Sequence, residues 1–118
     1  MNRQYYEKKG RRAEFFAKMC LRLKGYQILA ERYKTKAGEI DLVALKKTDL
    51  VFVEVKQRQT IKEAQEALTY TNRKRVTQAA EIFVSRSPKL QNKAIRFDAI
   101  CASSNWKIRH IKDAWRDY

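Results

Sequence analysis

Two short apolar blocks separated by four polar residues constrain this chain more than anything else in it. Glu39–Leu45 and Leu50–Lys56 are rich in β-branched and apolar residues, and Lys46-Lys47-Thr48-Asp49 interrupts them, the pattern of two strands joined by a tight turn. A turn centred between Lys47 and Thr48 pairs Lys46 with Asp49, and counting outward it sets Asp41 opposite Glu54 on one face. Side chains alternate along a strand, so Lys56 shares that face with Glu54, and Val43 shares it with Asp41. Two carboxylates and one ammonium therefore converge close to Val43, Phe52 and Val55. Directly opposed like charges destabilise a strand pair, and an apolar setting makes unpaired charge costlier. A divalent cation relieves the conflict, and hard carboxylate oxygens suit Mg²⁺ or Mn²⁺. A lysine two residues beyond one ligand is spaced to hold a water or steady a phosphate. The plain alternative is a salt-bridge ladder on an edge hairpin. It explains Glu54 and Lys56, and explains less well why acids sit inside such apolar strands.

The same residues carry a resemblance. Asp41 followed by Glu54-Val55-Lys56 resembles the D…(D/E)-x-K signature of the PD-(D/E)xK nuclease superfamily. The longer blocks Gly38-Glu39-Ile40-Asp41-Leu42-Val43-Ala44 and Phe52-Val53-Glu54-Val55-Lys56-Gln57-Arg58 are similar to those of the YraN family, bacterial predicted endonucleases related to archaeal Holliday-junction resolvases. Gly10-x-x-Ala13-Glu14-x-x-Ala17 and Arg96-Phe97-Asp98 are similar to further blocks of that family, with Ala13 standing where the family has a second glycine. The resemblance covers most of the chain. It implies a restriction-endonuclease-like core and Mg²⁺, or Mn²⁺ in its place, held by Asp41, Glu54 and the carbonyl of Val55. It also implies that Lys56 is catalytic and that DNA, including branched or junction DNA, is the substrate. Cutting both strands of a junction would favour a twofold homodimer. Under the same resemblance Glu14 is a third acid, supporting the metal through water. From the residues alone, Glu14 borders the apolar face of a helix, where pairing with Arg11 or Lys18 is the alternative. Glu39 shares a face with Asp41 and reads either as a support for the metal site or as a solvated strand start.

Charge points to the same class of partner. Lys and Arg number 27 against 13 acids, a net charge of +14 in 118 residues, and such a field favours a polyanion. Charge alone does not separate an enzyme from a binder, so the alternative is a non-catalytic nucleic-acid-binding protein with a nuclease fold, holding RNA or DNA, as ribosome-associated proteins do. A weaker third reading is a structural partner that docks an acidic protein. The length fits one domain, residues 1–118. Only three Gly and one Pro argue against linkers. No run approaches a membrane span and the first residues lack a signal-peptide core, so a cytoplasmic protein is expected. Cys20 and Cys101 are expected as buried free thiols.

Along the chain, helical spacing from 4 to 24 predicts an amphipathic helix (Tyr6, Ala13, Phe16, Ala17, Cys20, Leu21, Leu23) that Gly25 stops. Tyr26–Tyr33 reads as a strand, and the hairpin follows. Thr60-Ile61-Lys62-Glu63 is a capping-box pattern that opens either a short helix through Leu68 or a loop ordered by substrate. Thr71–Arg75 reads as a basic knot leading into a helix with Val76, Ala79, Ala80, Phe83 and Val84 buried, ended by Ser87-Pro88. Ala94–Ala102 and Trp106–Ile111 read as strands, and Lys112–Tyr118 as a closing turn. The expected class is α/β with a mixed sheet flanked by helices, in the order α-β-β-β-α-β-β. Arg58 reads as a phosphate contact or a solvated strand end, and Lys74 as a phosphate contact at a helix start or a solvated one. Arg96 and Asp98 read as a structural ion pair. His110 has no partner pattern and takes no catalytic role. Tyr5, Tyr6 and Trp106 read as base-stacking rings or as core.

Overall fold

The computed structural model describes the backbone of residues 3–116 and the side chains of residues 10–116. Five strands form one sheet in chain order: β1 (Gln27–Lys34), β2 (Glu39–Lys46), β3 (Asp49–Gln57), β4 (Ala94–Ala102) and β5 (Ile108–Ile111). Neighbours are antiparallel except β3 and β4, which run parallel and therefore need a long crossover. That crossover carries α2 (Ile61–Glu66), α3 (Tyr70–Ser85) and the 3₁₀ turn Pro88–Leu90, while α1 (Arg3–Leu23) precedes the sheet. The mixed α/β class and the order of elements are those expected. The Thr60 segment is helical, with the Thr60 hydroxyl accepting the Glu63 N–H at 3.1 Å.

Three local expectations need correction. The basic knot Thr71–Arg75 does not lead into α3 but forms its first turns, because Thr69 caps the Asn72 N–H. The last strand begins at Ile108 rather than Trp106, because Trp106 is left-handed (φ 60°) in a turn closed by its N–H on the Ser103 carbonyl. Both cysteines are free, yet only Cys101 is buried; Cys20 is half-buried on α1. The side chains of Tyr5 and Tyr6 lie outside the described residues, as does the end of the tail, Asp117 and Tyr118. Among the described residues no helix is long and apolar enough to cross a membrane.

Alternation along the strands decides which helix covers which face. Leu42, Ala44, Val51, Val53 and Ile100 pack against Ala17 and Leu21 of α1. Val43, Leu50, Phe52 and Phe97 pack on the other side against Val76, Ala79 and Ala80 of α3, with Trp115 stacked on Phe97. Ala64 of α2 covers Ala99 and Cys101. Each large side chain so buried contributes on the order of 1.5–3 kcal/mol. Two glycines set the connections. Gly25 (φ 91°) lets the Tyr26 N–H reach the Leu21 carbonyl and its own N–H the Arg22 carbonyl, a Schellman ending that turns the chain from α1 into β1. Gly38 brings the β1–β2 turn against α3 so closely that a Cβ would stand 2.6 Å from the Arg75 carbonyl oxygen.

The far side of the sheet holds a buried acid whose every need is met. Asp98 is fully buried. It accepts from Arg96 Nε and Nη2 at 2.8 Å each, from the Asp113 N–H at 2.9 Å, and from His110 Nε2 at 2.7 Å. Lys24 Nζ lies 2.9 Å from His110 Nδ1. An ammonium only donates, so Nδ1 accepts and the proton of a neutral imidazole sits on Nε2, facing Asp98. Burial pushes the Asp98 pKa up, but the bonds from His110, Arg96 and the Asp113 amide outweigh it and hold the pKa below the ordinary value. A lowered folded-state pKa gives stability that is present above the unfolded value and lost as pH falls through the folded one. We predict that Asp98→Asn destabilises the protein by roughly 3 kcal/mol at neutral pH, since it removes the buried charge that Arg96 bonds twice at 2.8 Å and leaves Arg96 only the longer pair with Asp49 at 3.3 Å. Urea unfolding at a series of acid pH values should show a shallower pH dependence in the variant than in the wild type, and parallel curves would remove this account of Asp98.

Candidate functional site

The β2–β3 ladder runs from Lys46–Asp49 to Leu42–Val53, the register that the two-residue turn dictates. There it stops. Asp41 Oδ2 accepts the Val55 N–H at 2.8 Å, so a side chain occupies the donor that a strand carbonyl would otherwise take. Beyond this point β2 stays with β1 as far as Glu39–Lys34, and β3 stays with β4 as far as Gln57–Ala102. The two strands part, and Asp41 and Glu54 face each other across a gap rather than as a ladder pair. A cavity of about 210 Å³ opens there, lined by Ala13, Glu14, Asp41, Glu54, Lys56 and Arg58 among others. A second hollow of about 230 Å³ is walled by Glu39, Asp41, Glu54, Asn72 and Arg75. Asp41 and Glu54 belong to both.

Charge in the gap is poorly compensated. Glu54 is buried; Lys56 Nζ stands 3.7 Å from its Oε2, and Asn72 Nδ2 donates to the same oxygen at 2.7 Å. The Asp41 carboxyl is pushed well above its ordinary pKa, first by burial and then by hydrogen bonding to Glu54 and its charge; the Val55 amide and Lys56 pull the other way without offsetting this. Glu14 enters from α1. Its Oε2 accepts from Arg32 Nε at 2.8 Å, not from Arg11 or Lys18, and Lys18 pairs instead with Glu31. Burial still raises the Glu14 pKa, with Arg32 opposing and the nearby Asp41 charge adding to the rise. Arg32 itself is held left-handed (φ 49°) within β1, a conformation costing roughly 1–3 kcal/mol.

The structure thus brings Asp41, Glu54, Lys56 and Glu14 to one cavity. Val55 is present through its amide, and Glu39 stands exposed at the mouth of the second hollow. Arg58 is exposed at the rim, its Nη1 donating to the Gln57 carbonyl. Lys74 is exposed, and helical geometry turns it away from the hollow that Asn72, Arg75 and Val76 line from the adjacent face of α3. Asn72, Arg75 and Arg32 are the residues that sequence reasoning missed. A helix begun at Tyr70 would have put Asn72, Arg75 and Val76 on one face, whereas nothing local marks Arg32 as the partner of Glu14.

Asn72 leaves one oxygen unanswered: Oδ1 is buried with no hydrogen-bond partner, which native interiors seldom tolerate. The available donors are therefore two carboxylates, an amide oxygen and backbone carbonyls, all hard oxygens suited to Mg²⁺ or Mn²⁺. Among the described residues no three His, Cys, Asp or Glu side chains gather to hold a metal. A site with two carboxylates still fits Mg²⁺, which keeps waters and takes substrate phosphate oxygens as further ligands. A raised folded-state carboxyl pKa means that stability is greatest below the unfolded value and falls as pH rises towards the folded one. We therefore predict that Asp41→Asn, with chelator present near neutral pH, raises stability by about 1 kcal/mol. Melting with Mg²⁺ or Mn²⁺ should then raise the Tm of the wild type and leave the variant unmoved; a variant that loses stability under chelator would contradict this.

Comparison with known proteins places these residues in a family. The model of the uncharacterised protein family UPF0102 matches residues 13–102, which spans the cavity-lining end of α1, the hairpin, α3 and β4. A UPF0102 protein of Chelativorans sp. is 40% identical over 116 residues, covering 98% of this chain and 93% of its own. The UPF0102 protein amb4503 of Paramagnetospirillum magneticum is 44% identical over 118 residues, covering 96% and 91%. The UPF0102 protein mlr4633 of Mesorhizobium japonicum is 39% identical over 115 residues. With a family match across most of its length and relatives at this identity along nearly all of it, the chain belongs to the UPF0102 family.

Proposed function

We propose that this protein is a metal-dependent endonuclease, with a restriction-endonuclease-like core of the YraN kind, that hydrolyses phosphodiester bonds in DNA, including branched or junction DNA. The observation that carries the proposal is the gap where β2 leaves β3: two facing carboxylates that share a single ammonium, Lys56, and an orphaned amide oxygen beside them. In this reading Asp41 and Glu54, with the Val55 carbonyl and Asn72 Oδ1, would hold Mg²⁺, or Mn²⁺ in its place. The ion would polarise a phosphate oxygen and lower the pKa of an attacking water.

The chain's own groups do the rest. Lys56 lies beside Glu54, where an ammonium orients a water or meets the charge that develops on the phosphate. Glu14, tied down by Arg32, presents a carboxylate to the same cavity and would anchor ordered water. Arg58 and Arg75 stand at the two rims and would receive the phosphates on either side of the scissile one. Lys74, on the outer face of α3, would serve phosphates further along. A twofold homodimer would suit a junction with two strands to cut, and a cytoplasmic location suits a DNA substrate.

The second reading, a binder of nucleic acid without turnover, is favoured by the +14 charge alone. Cleavage decides between them. On one labelled DNA, single-turnover cleavage beside equilibrium binding should show Lys56→Ala losing roughly 10²–10³-fold in rate while affinity stays nearly constant. Lys56→Arg should rescue poorly, because a planar guanidinium does not replace a compact ammonium. A fully active Lys56→Ala protein would overturn the mechanism, and absence of any Mg²⁺- or Mn²⁺-dependent cleavage across linear, flap and junction DNAs would favour the binder. On either reading affinity should fall steeply with salt, since each phosphate contact releases condensed counterions; a flat salt titration would remove nucleic acid as the partner.

A further inference from the structure

We infer that the groove formed by the outer side of α1 and the β4–β5 loop is a subsite for an unpaired nucleotide, with its base on aromatic rings and its phosphate on arginines. The inference rests on the nucleic-acid reading above and narrows the substrate to one with a single-stranded segment. The groove measures about 430 Å³ and is lined by Arg11, Arg12, Phe15, Phe16 and Trp106, within the size range of small-ligand sites. Phe15 and Phe16 are 53% and 42% exposed. Phe16 meets Trp106 with ring centroids 5.1 Å apart and meets Phe15 at 5.7 Å.

Trp106 meets Phe16 from a hydrogen-bonded turn that keeps its backbone left-handed. Its positive φ is fixed by a closed loop: the Trp106 N–H on the Ser103 carbonyl, the Ser103 N–H on the Lys107 carbonyl, and the Lys107 N–H on Ser103 Oγ. A bulky residue kept left-handed at an exposed loop tip marks a place where side-chain position matters more than backbone ease. The loop is also tied to the cavity. Both the N–H and the hydroxyl of Ser104 donate to the Gln59 carbonyl at 3.2 Å, one residue beyond Arg58. Gly10, Ala13 and Glu14 line the carboxylate cavity from the same turns of α1 whose other side carries Arg11, Arg12 and Phe15. One helix width, roughly 10 Å, separates the two, a span that one strand crosses in a few nucleotides.

Charge selects the occupant. Arg11 and Arg12 are exposed, and Lys18 Nζ lies over the Phe15 ring at 5.7 Å. A second copy of a chain with net charge +14 would bring like charge to that patch, whereas a nucleic-acid strand brings opposite charge. Every base offers a π-face, and arginines beside stacked rings add cation–π attraction. Met19 (38% exposed) and Leu23 (87%) extend the apolar stripe towards the end of α1, so a self-interface is the competing outcome.

Trp106→Gly and Phe16→Ala test the inference, glycine being the residue that tolerates the left-handed backbone at 106. Anisotropy should be measured on a labelled single-stranded oligonucleotide and on a blunt duplex of equal length, with light scattering on the same samples. Each substitution should weaken single-strand binding about tenfold, the scale of one lost base–aromatic stack, and leave duplex binding within about twofold. In a Trp115→Phe background the remaining Trp106 fluorescence should be quenched by single strand and not by duplex. Equal binding of single strand by wild type and variants would overturn the subsite while leaving the duplex and Lys56 measurements to judge the nuclease. A wild-type dimer that the substitutions split, with single-strand binding unchanged, would also overturn it by making the groove a self-interface. No binding of either nucleic acid by the wild type would remove the parent reading with it.

Discussion

The bond from the Val55 amide to the Asp41 carboxylate decides where this sheet comes apart, and the candidate site exists because it does. Without it, the Val55 N–H would be available to a β2 carbonyl and the β2–β3 ladder could run on past Leu42–Val53. With it, the strands keep their outer neighbours and separate from each other, making room for α1 to approach from one side and α3 from the other. Gly38 allows that second approach, since a side chain there would collide with the Arg75 backbone. The cavity is thus a consequence of strand pairing, with Glu14 and Arg58 reaching one side of it and Asn72 and Arg75 the other.

Two buried acid clusters on one sheet show how differently the chain treats charge. Asp98 has Arg96, His110 and a backbone amide around it, and its pKa is lowered. Asp41 has one amide and a neighbouring acid, and its pKa is raised. The first arrangement is what a buried carboxylate requires in order to stabilise a fold. The second is destabilising as it stands, as are the orphaned Asn72 oxygen and the left-handed Arg32 beside it. Sites that must receive a charged ligand often carry such deficits, and the rest of the core offsets them.

The sequence was most legible where a short-range rule fixed the geometry. A two-residue turn sets the register of β2 on β3, so the meeting of Asp41, Glu54 and Lys56 followed from counting. Gly25 and Thr60 announced their helix boundaries through backbone conformation and capping. What stayed hidden depended on distant partners. Asp41 taking an amide from β3 leaves no mark in the alternation of β2. The Glu14–Arg32 pair joins residues 18 apart on different elements, and the nearer bases Arg11 and Lys18 were the natural guesses. Lys74 reads as a phosphate contact only for a helix that starts near it; α3 starts at Tyr70, and that phase turns Arg75 to the hollow instead. Trp106 looked like a strand residue because alternation does not reveal a positive φ. Apart from residues 10–12 at the start of the first block, the blocks that resemble the YraN family fall within residues 13–102, the stretch that matches UPF0102, so the resemblance and the comparisons rest largely on the same residues.

Because the proposed chemistry depends on an ion between Asp41 and Glu54, the most direct measurement is crystallographic: anomalous diffraction from crystals grown with Mn²⁺ and a short DNA. The account predicts one strong anomalous peak in the gap between β2 and β3, bonded to an oxygen of each carboxylate, with Asn72 Oδ1 turned towards it directly or through a water. Manganese bound only at surface acids, with Asp41 still on the Val55 amide and the gap closed around Asn72, would contradict it.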